Sequence, residues 1–412
     1  MSDMIYKELL LSRRRLMQLG AGALCLPFIG TSLGDELSID TSEATTDGLR
    51  LVLIELSGAN DGLNTVIPYS DERYFDLRPN LSISNKDRIA LNTDYAFHHG
   101  LTNMMDLWED GELALVHGLG YPKPNRSHFK SIAIWESGGD GKGHSNAGWI
   151  THAIEHAYAT DIVDAHGISF GGTANIFAST QGNWLSLKSA RELLMPLHPL
   201  VSGSRSDVNT SATKSANAEA IELVRQRTAQ LETSLKRFRG RLKNSSQNAS
   251  IKGRRLGSQL NHVVNLVDAG VNTPVYKVSL SGFDTHDNQP RRHQKLLQEL
   301  ADGIAGLRDE LRLRDEWDRT LVVTYSEFGR RARENRSMGT DHGTAAVHFV
   351  TGGAVNGGFY GDHPDLGSLI NEDMQFTMDY RALYHHILDS WLNLDSGRYA
   401  QYQDPRLGKL LG

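Results

Sequence analysis

Several short stretches of this chain carry carboxylates and imidazoles at spacings suited to holding a cation. The densest is Gly282-Phe283-Asp284-Thr285-His286-Asp287-Asn288, in which an acid and a histidine stand two residues apart. On extended backbone such a pair points the same way and can reach one ion. Ser326-Glu327-Phe328-Gly329 and Gly339-Thr340-Asp341-His342-Gly343 add Glu327, Asp341 and His342, while Asn60-Asp61-Gly62 adds Asp61. Ser127-His128 supplies a hydroxyl beside a further imidazole. Hard oxygen donors mixed with imidazole, without sulfur, suit Zn²⁺, Mn²⁺, Mg²⁺ or Ca²⁺. One such ion, or two a few ångströms apart, could stabilise the attacking and leaving oxygens of a phosphoryl or sulfuryl transfer. A serine at a helix start beside them would be the activated nucleophile, with His128 next to it a base, a ligand or a surface residue.

Five apolar runs must position these groups: Arg50–Leu56, Glu112–Gly118, Tyr276–Ser281, Leu321–Tyr325 and Val347–Thr351. Each is short, apolar and bounded by glycine or polar residues, which predicts buried strands. Asp61, Asp284, His286 and Glu327 follow strand ends, the edge at which α/β sheets bind ligands. Ser127 opens a helix near Lys130–Glu136, where the helix dipole favours an anion. Ordinary alternatives exist for each: Asn60-Asp61-Gly62 suits a plain turn, and Ser127 suits a plain N-cap. Amphipathic helices are predicted over Ala218–Leu242, Leu256–Val267, Gln294–Leu313 and Asp379–Leu392, the first two forming a helical hairpin over the sheet or the site. Residues 187–202 read as a loop, and 203–218 as a Ser/Thr/Asn-rich connection. Strands alternating with helices predict a mostly parallel sheet with helices on both faces.

The charge of 43 − 49 = −6 gives no support for nucleic-acid or anionic-membrane partners. The single cysteine, Cys25, lies in an amino-terminal apolar segment behind Ser12-Arg13-Arg14-Arg15-Leu16-Met17. This is the pattern of a twin-arginine export signal, over residues 1–34, and its removal near Thr31–Asp35 would leave a mature protein without a thiol or a stable membrane span. Sulfur-ligated metals and a cysteine nucleophile are thereby excluded. Residues 35–48 read as a linker, 49–202 with 255–412 as the core, and 203–254 as a helical insertion or cap.

GANDGLNTVIPY, PNRSHFKSIAIWESG, GFDTHDNQ, TYSEFGRR and GTDHGTA, with the twin-arginine leader, resemble the exported domain of unknown function 1501 family. That family is grouped with the alkaline phosphatase and sulfatase superfamily. The resemblance implies an alkaline-phosphatase-like three-layer α/β sandwich with a helical insertion. It implies that Asp61 is a first-strand metal aspartate, Ser127 the nucleophile, Asp284 and His286 ligands of one metal, and His342 the late histidine completing the set. Glu327-Phe328 stands where the superfamily has an Asp-His pair, so one imidazole is missing and the second metal is in question. The Cys/Ser-x-Pro-x-Arg context of formylglycine sulfatases is absent. The expectation is a periplasmic or secreted metal-dependent hydrolase acting on a small-molecule or glycan phosphate or sulfate ester, carried by the twin-arginine machinery. The alternative is a secreted metal- or glycan-binding protein on the same fold.

Overall fold

The computed structural model describes residues 48–139, 147–159, 162–172, 174–179, 181–194, 232–233, 235–242 and 249–412. The expected leader, nearly all of the 35–48 linker and most of the 203–254 insertion lie outside the described residues. Among the described residues no helix is long and apolar enough to cross a membrane.

Fourteen strands are described. They are β1 (Arg50–Ser57), β2 (Val66–Ile67), β3 (Arg88–Ala90), β4 (Ala96–His98), β5 (Leu113–Gly120), β6 (Gly167–Phe170) and β7 (Trp184–Leu187), then β8 (Val275–Ser281), β9 (Thr320–Tyr325), β10 (Arg330–Glu334), β11 (Thr340–His342), β12 (Ala346–Thr351), β13 (Gly358–Tyr360) and β14 (Met378–Asp379). The main sheet has the order β13-β5-β12-β9-β1-β8-β6-β7, with β14 beside β5. Every pairing in it is parallel except the two made by β12, which is antiparallel to both β5 and β9. The architecture is thus α/β with a mostly parallel sheet.

β1 reads RLVLIELS and has six consecutive fully buried residues, the pattern of a central strand covered on both faces. Its side chains divide by alternation. Val52, Ile54 and Leu56 enter one core with helices α5 (Arg254–Asp268) and α6 (Gln289–Arg312). Leu51 and Leu53 enter another with α3 (His128–Ser137), α4 (Thr151–Ala157) and α7 (Tyr380–His386). Leu235, Phe238 and Leu242, from the described part of the expected 218–242 helix, pack in the first of these cores. Two short helices, α1 (Glu72–Leu77) and α2 (Met105–Glu109), complete the set. Of the stretch read as a loop, Leu187 ends β7 and a 3-10 turn lies at Ala190–Leu194, while 195–202 lie outside the described residues.

α3 is held by stacked aromatics. The Trp135 ring lies 4.3 Å from Tyr380, and Trp149 lies 4.0 Å from Tyr384. The Tyr380 and Tyr384 hydroxyls donate to the carbonyls of Ile134 and Trp135, which also accept from the backbone amides of Gly139 and Gly138 at the helix end. Beneath the strand ends, the buried Lys277 ammonium of β8 donates to Glu55 of β1 at 2.8 Å and lies 3.1 Å from Glu136 of α3. Tyr325 of β9 donates to the same Glu136 at 3.0 Å. One ion cluster therefore joins three adjacent strands to one helix.

A second buried pair lies behind the carboxyl ends of these strands. Arg78 donates to both oxygens of Asp61, at 2.6 and 2.9 Å, with both side chains fully buried. Gln289 donates to Asp61 Oδ2 at 2.5 Å, and the hydroxyls of Thr285 and Thr340 donate to Gln289 Oε1. Burial alone would raise the Asp61 pKa, but the charge and hydrogen bonds of Arg78, then His293 and Gln289, leave it lowered from 3.8. A carboxyl so lowered stabilises the fold above its unfolded value, and that contribution is lost as pH falls through the folded value.

Two outcomes follow from this pair. Arg78→Met strands a buried carboxylate and is expected to cost about 3–5 kcal/mol in denaturant unfolding, most of it recovered in Arg78→Met/Asp61→Leu. A loss under about 1 kcal/mol would show the pair to be dispensable. The double variant should also lose part of the wild-type decline in stability below pH 4, and an unchanged acid limb would assign that decline elsewhere.

Candidate metal centre

Four loops meet at the carboxyl ends of β1, β8 and β9, which lie side by side. Asp284 and His286 follow β8, Glu327 follows β9, His342 ends β11 and His128 begins α3. Close packing at two glycines lets the loops approach. Gly58, at φ +112°, leaves no room for a Cβ, which would lie 2.4 Å from the Asp284 amide nitrogen, and one on Gly339 would lie 2.3 Å from the His286 carbonyl.

The three histidines are oriented in the same sense. His128 Nδ1 lies 2.6 Å from Glu327 Oε1, His286 Nδ1 lies 3.3 Å from Asp341 Oδ1, and His342 Nδ1 lies 2.9 Å from the Arg126 carbonyl oxygen. Each partner is an acceptor, so each Nδ1 carries the proton and each Nε2 presents a lone pair in the neutral ring. Those Nε2 atoms turn toward Asp284. His286 Nε2 is 3.1 Å and His342 Nε2 is 3.3 Å from Asp284 Oδ1, while His128 Nε2 is 3.5 Å from Oδ2. His286 and His342 bring their Nε2 atoms within 2.9 Å of each other. His128 Nε2 is buried without a hydrogen-bond partner.

Between neutral rings, lone pairs facing one another and a carboxylate at such distances repel, and a proton or a metal cation between them removes the repulsion. Tetrahedral ligation with bonds of ~2.0–2.1 Å places ligand atoms about 3.3 Å apart, close to the separations seen here. The ligand atoms of His128, Asp284 and His342 all fall within 4.8 Å of one another, and His286 joins them through its contacts with Asp284 and His342. The donor set therefore fits a divalent ion bound by imidazole nitrogen and carboxylate oxygen.

The surrounding groups hold these ligands in place. Glu327 is buried and accepts from the Gly58 amide at 2.9 Å and the Ser326 hydroxyl at 3.0 Å as well as facing His128. Burial pushes its carboxyl up, but His128 and the backbone outweigh this and leave it lowered. The hydrogen bond to Glu327 in turn raises His128. Phe328 packs against the rings of His128 and His342 at 5.0 and 4.8 Å, forming an apolar wall beside them.

Arg330, fully buried, donates to the carbonyls of Gly58, Ala59, Phe283 and Thr340 and to Asp284 Oδ1 at 2.6 Å. Burial would raise the Asp284 carboxyl, but the hydrogen bond and charge of Arg330 outweigh this and hold it at about 2.

The structure thus brings Asp284, His286, His342 and His128 together and places the remaining candidates differently. Asp61 is corrected: both of its oxygens are engaged by Arg78 and Gln289, so it supports the loops from behind and does not face the cluster. Glu327 is also corrected from ligand to orienting group, since Oε1 faces His128 Nδ1 and the Gly58 amide and Oε2 the Ser326 hydroxyl. Asp341, half-exposed, stands behind His286 and accepts from Asn335. Ser127 is exposed at the N-cap of α3, and its hydroxyl makes no capping bond. Its amide donates to Asn125 Oδ1 at 2.9 Å. Arg330 and Arg78 were not singled out in the sequence. A charged residue directly after Glu-Phe-Gly was the one available signal for Arg330.

No curated protein matches the sequence. Among solved structures, the C-terminal periplasmic domain of EcEptC from Escherichia coli is 9% identical, covers 87% of each chain and has a TM-score of 0.39. The same domain in a complex with Zn is 7% identical over 75% of each chain, at a TM-score of 0.34. Ps i-CgsB is 12% identical, covering 87% of this chain and 75% of its own, at a TM-score of 0.35. Residues 49–401 match the family described as "Protein of unknown function (DUF1501)", and the chain belongs to that family.

Proposed function

We propose that this chain is an exported, metal-dependent hydrolase of phosphate or sulfate esters with a single divalent ion held by Asp284, His128, His286 and His342. The observation that carries the reading is the convergence of three Nε2 lone pairs on one carboxylate, each ring fixed through Nδ1 by a separate acceptor. Nitrogen-rich ligation without sulfur favours zinc or manganese over magnesium or calcium. An ion bound there would supply Lewis acidity toward an ester oxygen.

Arg330 supports one ion in place of two. Its guanidinium already neutralises Asp284 from the buried side, so a second fixed positive charge is built into the centre without a second metal. Ser127 is the proposed nucleophile. Its Oγ would form the bond to phosphorus or sulfur as the alcohol oxygen leaves with a proton, and water would then release the acid and restore the hydroxyl. The amino end of α3, ten residues long, adds a partial positive charge beside Ser127. Export rests on the Arg13-Arg14 leader.

Metal analysis of the purified protein should find about one equivalent of a transition metal, lost in Asp284→Ala. Unchanged metal content in Asp284→Ala/His286→Ala would overturn the centre. Glu327→Gln should weaken metal affinity about 10–100-fold while the fold is kept, because it loosens His128 without removing a ligand. Ser127→Ala should retain the metal and lose turnover of p-nitrophenyl phosphate or sulfate. Metal retained by the wild type with no ester cleaved would leave a binding protein.

A further inference from the structure

β6 ends at Phe170, opposite Val278, whereas β8 continues to Ser281 with β1 alone as its partner. The freed edge is closed at one residue by Gln259 of α5, whose amide donates to the Ser279 carbonyl at 2.8 Å and accepts from the Ser279 amide at 2.9 Å. Beyond it opens a cleft of ≈ 650 Å³. It begins within a few residues of the metal centre. Ser57 precedes Gly58, whose amide binds Glu327, and Ser281 precedes Asp284 by three positions, at most about 11 Å of chain.

The lining is poor in apolar side chains. Of its eleven residues only Leu280 carries an apolar side chain, and none is aromatic, so burial of hydrocarbon there gains little. What it offers is polar: the hydroxyls of Ser57, Ser279 and Ser281, backbone at Gly171-Gly172, and the guanidiniums of Arg254 and Arg255. Among the described residues, none of those hydroxyls or guanidiniums has a hydrogen-bond or ion-pair partner. The two carboxylates of the cleft are already engaged. Glu55 accepts from Lys277, and Glu299 accepts from the amides of Arg255 and Leu256 at 2.9 and 3.1 Å. Glu299 therefore occupies the amino end of α5, which leaves the two guanidiniums as the groups for an anion.

We propose that this cleft binds a sugar bearing an anionic substituent, its hydroxyls met by the three serines and its phosphate, sulfate or carboxylate by Arg254 and Arg255. The volume accommodates a mono- or disaccharide. Binding does not depend on the metal. That the bound sugar presents an ester to the centre rests on the hydrolase reading.

Titration calorimetry of the full mature chain would compare glucose 6-phosphate, glucose 6-sulfate, glucuronate, glucose and inorganic phosphate. At least one anionic sugar should bind ~10-fold or more tightly than both glucose and inorganic phosphate. Arg254→Gln/Arg255→Gln, at two exposed positions, should weaken that binding ~10-fold or more. Ser279→Ala/Ser281→Ala should weaken it as well, and Asp284→Ala should leave it unchanged. Absence of binding by all three anionic sugars, inorganic phosphate binding as tightly as they do, or affinity indifferent to the arginine pair would overturn the proposal. So would loss in Asp284→Ala with the arginine variant unaffected, which places the ligand at the metal centre. Sugar binding without cleavage of any ester would end the hydrolase reading and keep this one.

Discussion

A single buried guanidinium ties the site together. Arg330 meets carbonyls from the turn after β1, the turn after β8 and the end of the β10–β11 hairpin, and reaches Asp284 as well. Carbonyls at strand ends that turn inward need donors once water is excluded. The planar fork of an arginine can serve several at fixed angles, which a lysine ammonium cannot. The three loops are thus held at one distance from one another, and the distance between them is what brings Asp284, His286 and His342 into contact. The same charge keeps Asp284 ionised whether or not an ion is bound.

A second cation works one layer below. Lys277 lies between Glu55 and Glu136, and Tyr325 shares Glu136, so β1, β8, β9 and α3 are joined by side chains on the face that α3 covers. Burial pushes the Glu136 carboxyl up, only partly offset by Lys277. A buried cluster of this sort adds little net stability, but it disfavours other placements of α3, because any shift would leave a charge unpaired. The position of His128 depends on that placement. With Asp61, Arg78 and Gln289 bracing the other side, Asp284, His286, His342 and His128 lie on or within a few residues of β8, β11 and α3.

Much of this was legible in the sequence, and the losses have physical reasons. Strands β1 and β9 declare themselves through the apolar runs Leu51–Ile54 and Leu321–Val323, and β8 through its valines, Tyr276 and Leu280. β6 and β7 are four residues each and carry no such run. The β10–β11 hairpin, whose strands read RRARE and TDH with Arg333 and Asp341 exposed, reads as a polar loop. Residue types at the site were visible, but which atom faces inward was not. Glu327 and His128 sit 199 positions apart, and only their contact shows that the histidine points to the centre while the carboxylate stands behind it. Asp61 misled for the complementary reason: its partner Arg78 lies in an unremarkable Asp-Leu-Arg-Pro stretch, and nothing local reveals that the two are buried together.

The central claim is that three imidazoles and one carboxylate share an ion. X-ray absorption at the metal edge of the purified protein tests it directly. The account predicts a first shell of light atoms only, at about 2.0–2.1 Å for zinc, with outer-shell scattering from three imidazole rings that drops by one ring in His342→Ala. A shell without imidazole scattering, or one unchanged in that variant, would contradict it.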